Sequence, residues 1–206
     1  MSDISIGLFR IIVLAPVGVI TEAKIKKLME HGNGMQLIQS QPGVSAMIGD
    51  GKGTSVLIFQ DQISYGYDGD GCVDFAKAQK ILEETFNALL LDQNGRCSIL
   101  IVSREKSKTG SAMNETASFL NDFENIKKDW NDLAGVGLRL FEKHENDVWE
   151  FKIEPFLGDD SFYHVECLAN KNEEISMGEI VKFGEEIHSY FINRFSSIVS
   201  KYFIAK

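Results

Sequence analysis

Gly135 to Cys167 reads GVGLRLFEKHENDVWEFKIEPFLGDDSFYHVEC, and the alternation inside it decides the fold. Val136, Leu138 and Leu140 fall in one phase. Beyond the polar corner His144-Glu145-Asn146-Asp147, the residues Trp149, Phe151 and Ile153 fall in one phase of a returning strand. Period-two alternation between turn residues predicts strands with one apolar face, here three in antiparallel succession. Such a face needs a cover, and Met177 to Phe203 supplies it, with Ile180, Phe183, Ile187, Phe191, Phe195, Ile198 and Tyr202 at helical spacing. At about 1.5 Å per residue this helix runs roughly 40 Å, long enough to cross the sheet.

Upstream, Ile4 to Leu14 is rich in β-branched residues and predicts a strand that ends at Ala15-Pro16. Thr21 is placed to cap a short helix whose apolar side is Ile25, Leu28 and Met29 and whose stop is His31-Gly32. A meander follows: Met35 to Gln39, Val44 to Ile48, Thr54 to Gln60 and Ile63 to Tyr67, with Gly49 to Gly53 and Asp61-Gln62 among the turns. Cys72 to Leu91 carries Phe75, Ala78, Leu82, Phe86 and Leu89 on one helical face, and Asp92-Gln93-Asn94-Gly95 ends it. Cys97 to Ser103 predicts a strand buried on both faces. Ala117 to Leu133 predicts another amphipathic helix.

The whole predicts an α+β protein of two β/α halves: an N-terminal strand-helix-meander-helix-strand unit over 1–104 and a C-terminal three-stranded unit with its helix over 112–206. Arg104 to Ser111 is the connector, and one continuous domain is the alternative. No internal sequence repeat and no low-complexity tract is visible.

With 206 residues, 44% hydrophobic and 25% charged, the chain has the composition of an ordinary globular protein. The net charge of −9 opposes binding to a phosphate backbone, so nucleic acid is not the expected partner. Cys72, Cys97 and Cys167 are widely spaced and odd in number, which fits neither a disulfide framework nor a zinc knuckle. Reduced thiols, a broken apolar N-terminal run and the absence of a basic start predict a cytoplasmic chain with no membrane span.

The order of these features, with Met35 to Gln39, the Phe75-Ala76-Lys77 helix start and Gly135 to Leu140 before a strand containing Glu154-Pro155, resembles a sporadically distributed, uncharacterised family of bacterial proteins. The resemblance implies a fold and a bacterial source, and it carries over no functional residues.

Asp68 to Asp74 alternates carboxylates as a calcium loop does, but Val73 and Gln79 stand where that loop needs glycine and glutamate. A turn leading into a helix capped by Asp74 is the better reading. Gly49-Asp50-Gly51-Lys52-Gly53 has phosphate-loop composition but joins two strands rather than opening a helix. Glu150-Phe151-Lys152 is the sharper motif. A strand-borne Glu-x-Lys with a second carboxylate, from Asp132, Asp147 or Glu166, is the pattern by which metal-dependent nucleases hold magnesium and orient a water. The same residues also make an ordinary solvent-facing strand surface, opposite in phase to Trp149, Phe151 and Ile153. His164 and Glu166 share a strand face, but the four histidines show no zinc-binding spacing.

The function these readings predict is a non-enzymatic protein-binding or regulatory subunit of a bacterial multi-gene system, presenting an acidic surface to a partner protein or to further copies of itself. It needs no cofactor. The alternative is a magnesium-dependent hydrolase using Glu150 and Lys152.

Overall fold

The structure, a computed structural model, describes residues 6–31, 34–69, 72–118, 126, 135–144, 146–195, 197–198 and 201. The first strand β1 (Ile6–Leu14) and helix α1 (Glu22–His31) lead into β2 (Gln36–Gln41), β3 (Ser45–Gly49), β4 (Thr54–Phe59) and β5 (Gln62–Tyr67), then helix α2 (Phe75–Leu89). The chain continues through β6 (Asn94–Lys106), α3 (Ala112–Ala117), β7 (Leu138–His144), β8 (Asp147–Pro155), β9 (Phe162–Ser176) and α4 (Met177–Tyr190). A π-helical turn, Phe191–Phe195, prolongs α4.

All nine strands join one antiparallel sheet in the order β2-β3-β4-β5-β1-β6-β9-β8-β7. The connectivity repeats where the sequence does not. Among the described residues a first unit runs β1, α1, a four-stranded meander and α2, and a second runs β6, α3, a three-stranded meander and α4. In each, the last strand of the meander lies beside the opening strand, and the opening strands pair with each other at the seam, from Leu8 opposite Val102 to Val13 opposite Cys97.

The core lies on one face of this sheet. Phe9, Ile11, Val13, Val56, Ile58, Ile63, Ile99, Ile101, Val165 and Cys167 are fully buried there. The ring of Phe9 meets Phe75 of α2 and His188 of α4 edge-on. At the crossing of α4 over β1, a Cβ added to Gly184 would stand 3.2 Å from Ile11, so a small residue lets the helix sit close. Over the second unit the cover is aromatic: Trp149 meets Phe183 and Tyr190, and Phe151 stacks on Phe195 at 4.3 Å. The stretch from Gly135 therefore folds as the alternation predicts. Leu138 pairs with Ile153 and Leu140 with Phe151 on the face that α4 covers.

Local chemistry sets the helix ends. Ser176 and Glu179 form a reciprocal capping box at the start of α4, each side chain accepting a hydrogen bond from the other's backbone N–H. Asp74 caps α2 by accepting from the Lys77 amide, as its position predicts. The helix stops at Leu89, before the polar run Asp92 to Gly95, because Leu90 takes a left-handed conformation (φ 58°). Gly95 belongs to β6 instead, where an added Cβ would lie 2.9 Å from the Val13 side chain.

Two further expectations change. The strand around Cys97 to Ser103 is longer, and it is buried on one face only: Ser98, Leu100 and Val102 remain half-exposed on the other. Most of Ala117 to Leu133 lies outside the described residues; the helix that is described, α3, covers Ala112–Ala117 and is capped by Ser111. The expected terminal helix begins at Met177, and its buried Phe191 and Phe195 fall in the π-helical turn.

Candidate functional site: the open face of the sheet

Strand residues alternate across a sheet, so the phase opposite the core forms a second face. Cross-strand register places Leu57, Ser64, Ile12, Ser98 and Asn170 in one row of it. The next row is Ser55, Gly66, Arg10, Leu100, Leu168, Glu150 and Phe141. A third holds Leu8, Val102, Glu166, Lys152 and Arg139. The helices α1, α2, α3 and α4 all pack on the core side, through contacts such as Leu28 beside Ile48, Phe75 against Phe9, Glu115 with Tyr163, and Gly184 against Ile11. Among the described residues no helix covers the opposite face.

On the β7–β8–β9 part of this face the sequence-predicted site residues do come together. Arg139 Nη2 donates to Glu150 Oε2 at 2.6 Å, and Lys152 Nζ stands 3.6 Å from Glu150 Oε1. Lys152 Nζ also donates to Glu166 Oε1 at 2.6 Å, and His164 Nε2 lies 3.4 Å from Glu166 Oε2. The result is a cross-strand ladder in which positive and negative groups alternate. Arg139 holds the Glu150 carboxyl below its usual range, and the Glu166 carboxylate raises the Lys152 ammonium above its own.

Asp147 does not belong to this group, and its candidacy as the second carboxylate is corrected. It lies in the core phase of β8, buried, and accepts a 2.7 Å hydrogen bond from Lys171 Nζ. Asp132 lies outside the described residues. Glu166 is thus the carboxylate that register delivers, but both it and Glu150 already engage cations, and the Lys152 ammonium stands between them. Among the described residues no group of three or more His, Cys, Asp or Glu side chains is arranged to hold a metal ion. This geometry does not fit a divalent cation well, because the position where one would bridge the two carboxylates is held by an ammonium.

Elsewhere the other motifs resolve into structure. Asp50 accepts from the Lys52 and Thr54 amides and from Lys77 Nζ, closing the β3–β4 turn against α2. Burial raises its pKa, but those hydrogen bonds outweigh burial and hold it at about 2. Cys97 and Cys167 are free thiols pushed up to about 12 by burial, and Cys72 is an exposed free thiol. No helix among the described residues is long and apolar enough to cross a membrane.

Sequence reasoning missed the wider site. The half-exposed residues Leu8, Ile12, Leu57, Leu100 and Leu168 read as core when each strand is taken alone. Only the sheet order shows that they gather on the face opposite the helices. The sign of the charge there differs from that of the chain as well. Arg10, Arg104, Lys106, Arg139, Lys143 and Lys152 occupy open-face positions, against Glu150, Glu154 and Glu166. The acidic surplus behind the net charge of −9 therefore lies off this face. No protein-family model matches the chain, and no curated protein matches it either.

Proposed function

We propose that this chain is a non-enzymatic, cytosolic protein-binding subunit whose contact surface is the open face of the sheet. One observation carries the reading: the face is apolar along its centre, and the described helices all lie on the other side. An antiparallel sheet that faced only water would alternate apolar-in with polar-out. Here the open phases of β1, β4 and β6 carry Leu8, Ile12, Leu57, Leu100 and Val102 opposite the core residues, along with polar groups such as Arg10, Ser55 and Ser98. Contiguous apolar surface of this kind marks contact sites.

The alternative, a magnesium-dependent hydrolase using Glu150, Lys152 and Glu166, has support from their proximity on adjacent strands. It is the weaker reading, because each carboxylate is already neutralised and Lys152 is held as a cation rather than poised to take a proton.

The test compares tagged wild type with Leu14→Asp and Leu100→Asp in co-purification from native extract, with Glu83→Gln on the helix side as control. Leu14 is 53% exposed on the open face, so its replacement leaves the core intact. A partner retained by wild type and by the control, and lost from both face variants, is the expected result. Retention by the face variants sinks the reading. Magnesium-dependent cleavage that disappears in Glu150→Gln would favour the hydrolase.

A further inference from the structure

β1 is the middle strand of the nine, and Arg10 stands on it in the middle of the open face. Its cross-strand neighbours are Gly66 on one side and Leu100 on the other, and along its own strand Leu8 and Ile12 share the face. Gly66 offers no side chain, so the Arg10 stem lies over it, with Cγ 3.8 Å from where a Cβ would be. The Arg10 Nε atom is buried and finds no hydrogen-bond partner among the described residues, and Arg10 makes no ion pair with them. Glu150, Glu154 and Glu166 lie two or more strands away on β8 and β9, roughly 10 Å or further at the usual strand spacing. Glu150 and Glu166 are taken up by Arg139, Lys152 and His164.

A guanidinium set among aliphatic side chains with a buried donor unused is costly unless something satisfies it. Around it the rim is cationic. Arg104, whose guanidinium lies 4.0 Å over the Phe156 ring, and Lys106 stand at the end of β6, and Lys143 stands on β7; none has a carboxylate partner among the described residues. We propose that the open face receives an acidic protein segment bearing large apolar side chains, with Arg10 taking one of its carboxylates at the centre and the apolar side chains lying on Leu8, Ile12 and Leu100. This rests on the reading of the face as a protein-binding surface, and it names the partner's chemistry: surplus carboxylates on an apolar segment. Charge complementarity selects it, since Arg10, Arg104, Lys106 and Lys143 need anions while Glu150 and Glu166 are already paired.

A protein segment fits better than a nucleic acid. Binding of single strands uses aromatic platforms for base stacking, and the immediate neighbours of Arg10 on the face, Leu8, Ile12, Gly66 and Leu100, carry no ring. Glu150, Glu154 and Glu166 on the same face would repel a phosphate backbone. A second copy set face to face fails on charge, because it would bring two cationic surfaces together.

The experiment pans a phage-displayed library of random peptides against the immobilised full chain. Enriched peptides are then synthesised and titrated against wild type, Arg10→Gln, Lys106→Glu and Leu100→Asp. Enrichment of net-negative peptides with several Leu, Ile or Phe residues is expected. Their affinity should fall about tenfold or more in Arg10→Gln and severalfold in Lys106→Glu, and severalfold between about 50 and about 500 mM NaCl. Circular dichroism and melting establish that Arg10→Gln is folded, and Lys106→Glu, on an exposed rim, tests the charge requirement if it is not. Enrichment of basic or uncharged peptides that are lost in Leu100→Asp would overturn the acidic partner and leave the protein-binding face standing. No enrichment, or acidic peptides that bind every variant equally, would overturn both. Displacement of the peptides by single-stranded DNA would overturn the inference in favour of a nucleic acid.

Discussion

The two units of the sheet share a connectivity and differ in what they show to solvent. On the first, the open face is hydroxyl and aliphatic: Ser55, Leu57 and Ile12, half-exposed, with Arg10 as the lone charge among them. On the second, it is the alternating ladder of Arg139, Glu150, Lys152, Glu166 and His164. The core sides differ as well. α1 and α2 cover the first with Leu28, Leu82 and Phe86, whereas Trp149, Phe151, Tyr190 and Phe195 fill the second with rings. A repeated topology thus constrains only which phase of each strand is buried. The chemistry of the other phase is free to diverge, and that divergence separates a charged, self-satisfied region from an apolar one with an unsatisfied arginine.

The comparison breaks if the units are independent bodies. β1 and β6 pair along their lengths, so a loss in the first unit should be felt in the second. Ile58 is fully buried on β4, inside the first unit. Ile58→Ala should cost about 2–5 kcal/mol through lost contacts and the cavity left behind. Trp149 packs on β8 against α4, so tryptophan fluorescence in a Trp130→Phe background reports on the second unit. Urea denaturation of Ile58→Ala should shift the fluorescence and far-ultraviolet dichroism midpoints together. A fluorescence midpoint left at the wild-type value would show two separately folding halves.

A smaller effect distinguishes the units by pH. Asp50 in the first and Glu105 in the second are carboxylates moved from their ordinary range in opposite directions. In the first, Asp50 sits at about 2, so it contributes stability above the unfolded pKa near 3.8, and this is lost as pH falls through 2. At the start of the second, Glu105 is buried in β6 and accepts a hydrogen bond from the Ser103 hydroxyl. Burial raises it to about 7. The folded state then holds a proton that the unfolded state releases above about 4.5, so stability falls as pH rises from there through 7. Glu105→Gln should stabilise the protein by roughly 1–3 kcal/mol at pH 8.5 and change little at pH 4.5. Asp50→Asn should destabilise by roughly 1–2 kcal/mol at both. Urea midpoints of the two variants at the two pH values decide it; equal effects of Glu105→Gln at both would show that the side chain ionises freely.

Most elements were legible because their evidence is local. Strands β2 to β5, the caps Thr21 and Asp74, and the β7–β8 hairpin follow from alternation and turn residues that act over a few positions. Assembly was not legible. Nothing in the alternation of β1 states that β6 will be its neighbour, since the seam is a pairing between residues some ninety positions apart. The chemistry of the site depends on assembly too. Glu150, Lys152 and Glu166 were found as a pattern, but whether two carboxylates converge on a metal or on an ammonium depends on register, and register put Lys152 opposite Glu166. Net charge carries no information on where charges sit, because it sums over surfaces that the fold separates. Arg10, a single basic residue in an apolar run, gave no signal at all until its neighbours Gly66 and Leu100 were known.

The ladder itself gives the smallest effect and the finest test of the contrast. Its charges are partly exposed, so each pair gains modestly from attraction, and salt screens much of that gain. Lys152→Met removes the cation shared by Glu150 and Glu166 while keeping an unbranched stem on the strand. It should cost about 0–1 kcal/mol, and the cost should shrink further in about 0.5 M NaCl. On the first unit, Leu57→Ala at a half-exposed open-face position loses packing rather than charge, so its cost should be of similar size and insensitive to salt. Chemical denaturation with urea, which leaves ionic strength unchanged, measures both. A Lys152→Met cost of several kcal/mol would mean that the carboxylates are desolvated and depend on their cation. The second unit's open face would then be closed off from water, and the contrast between the two faces would have to be drawn from burial instead of charge.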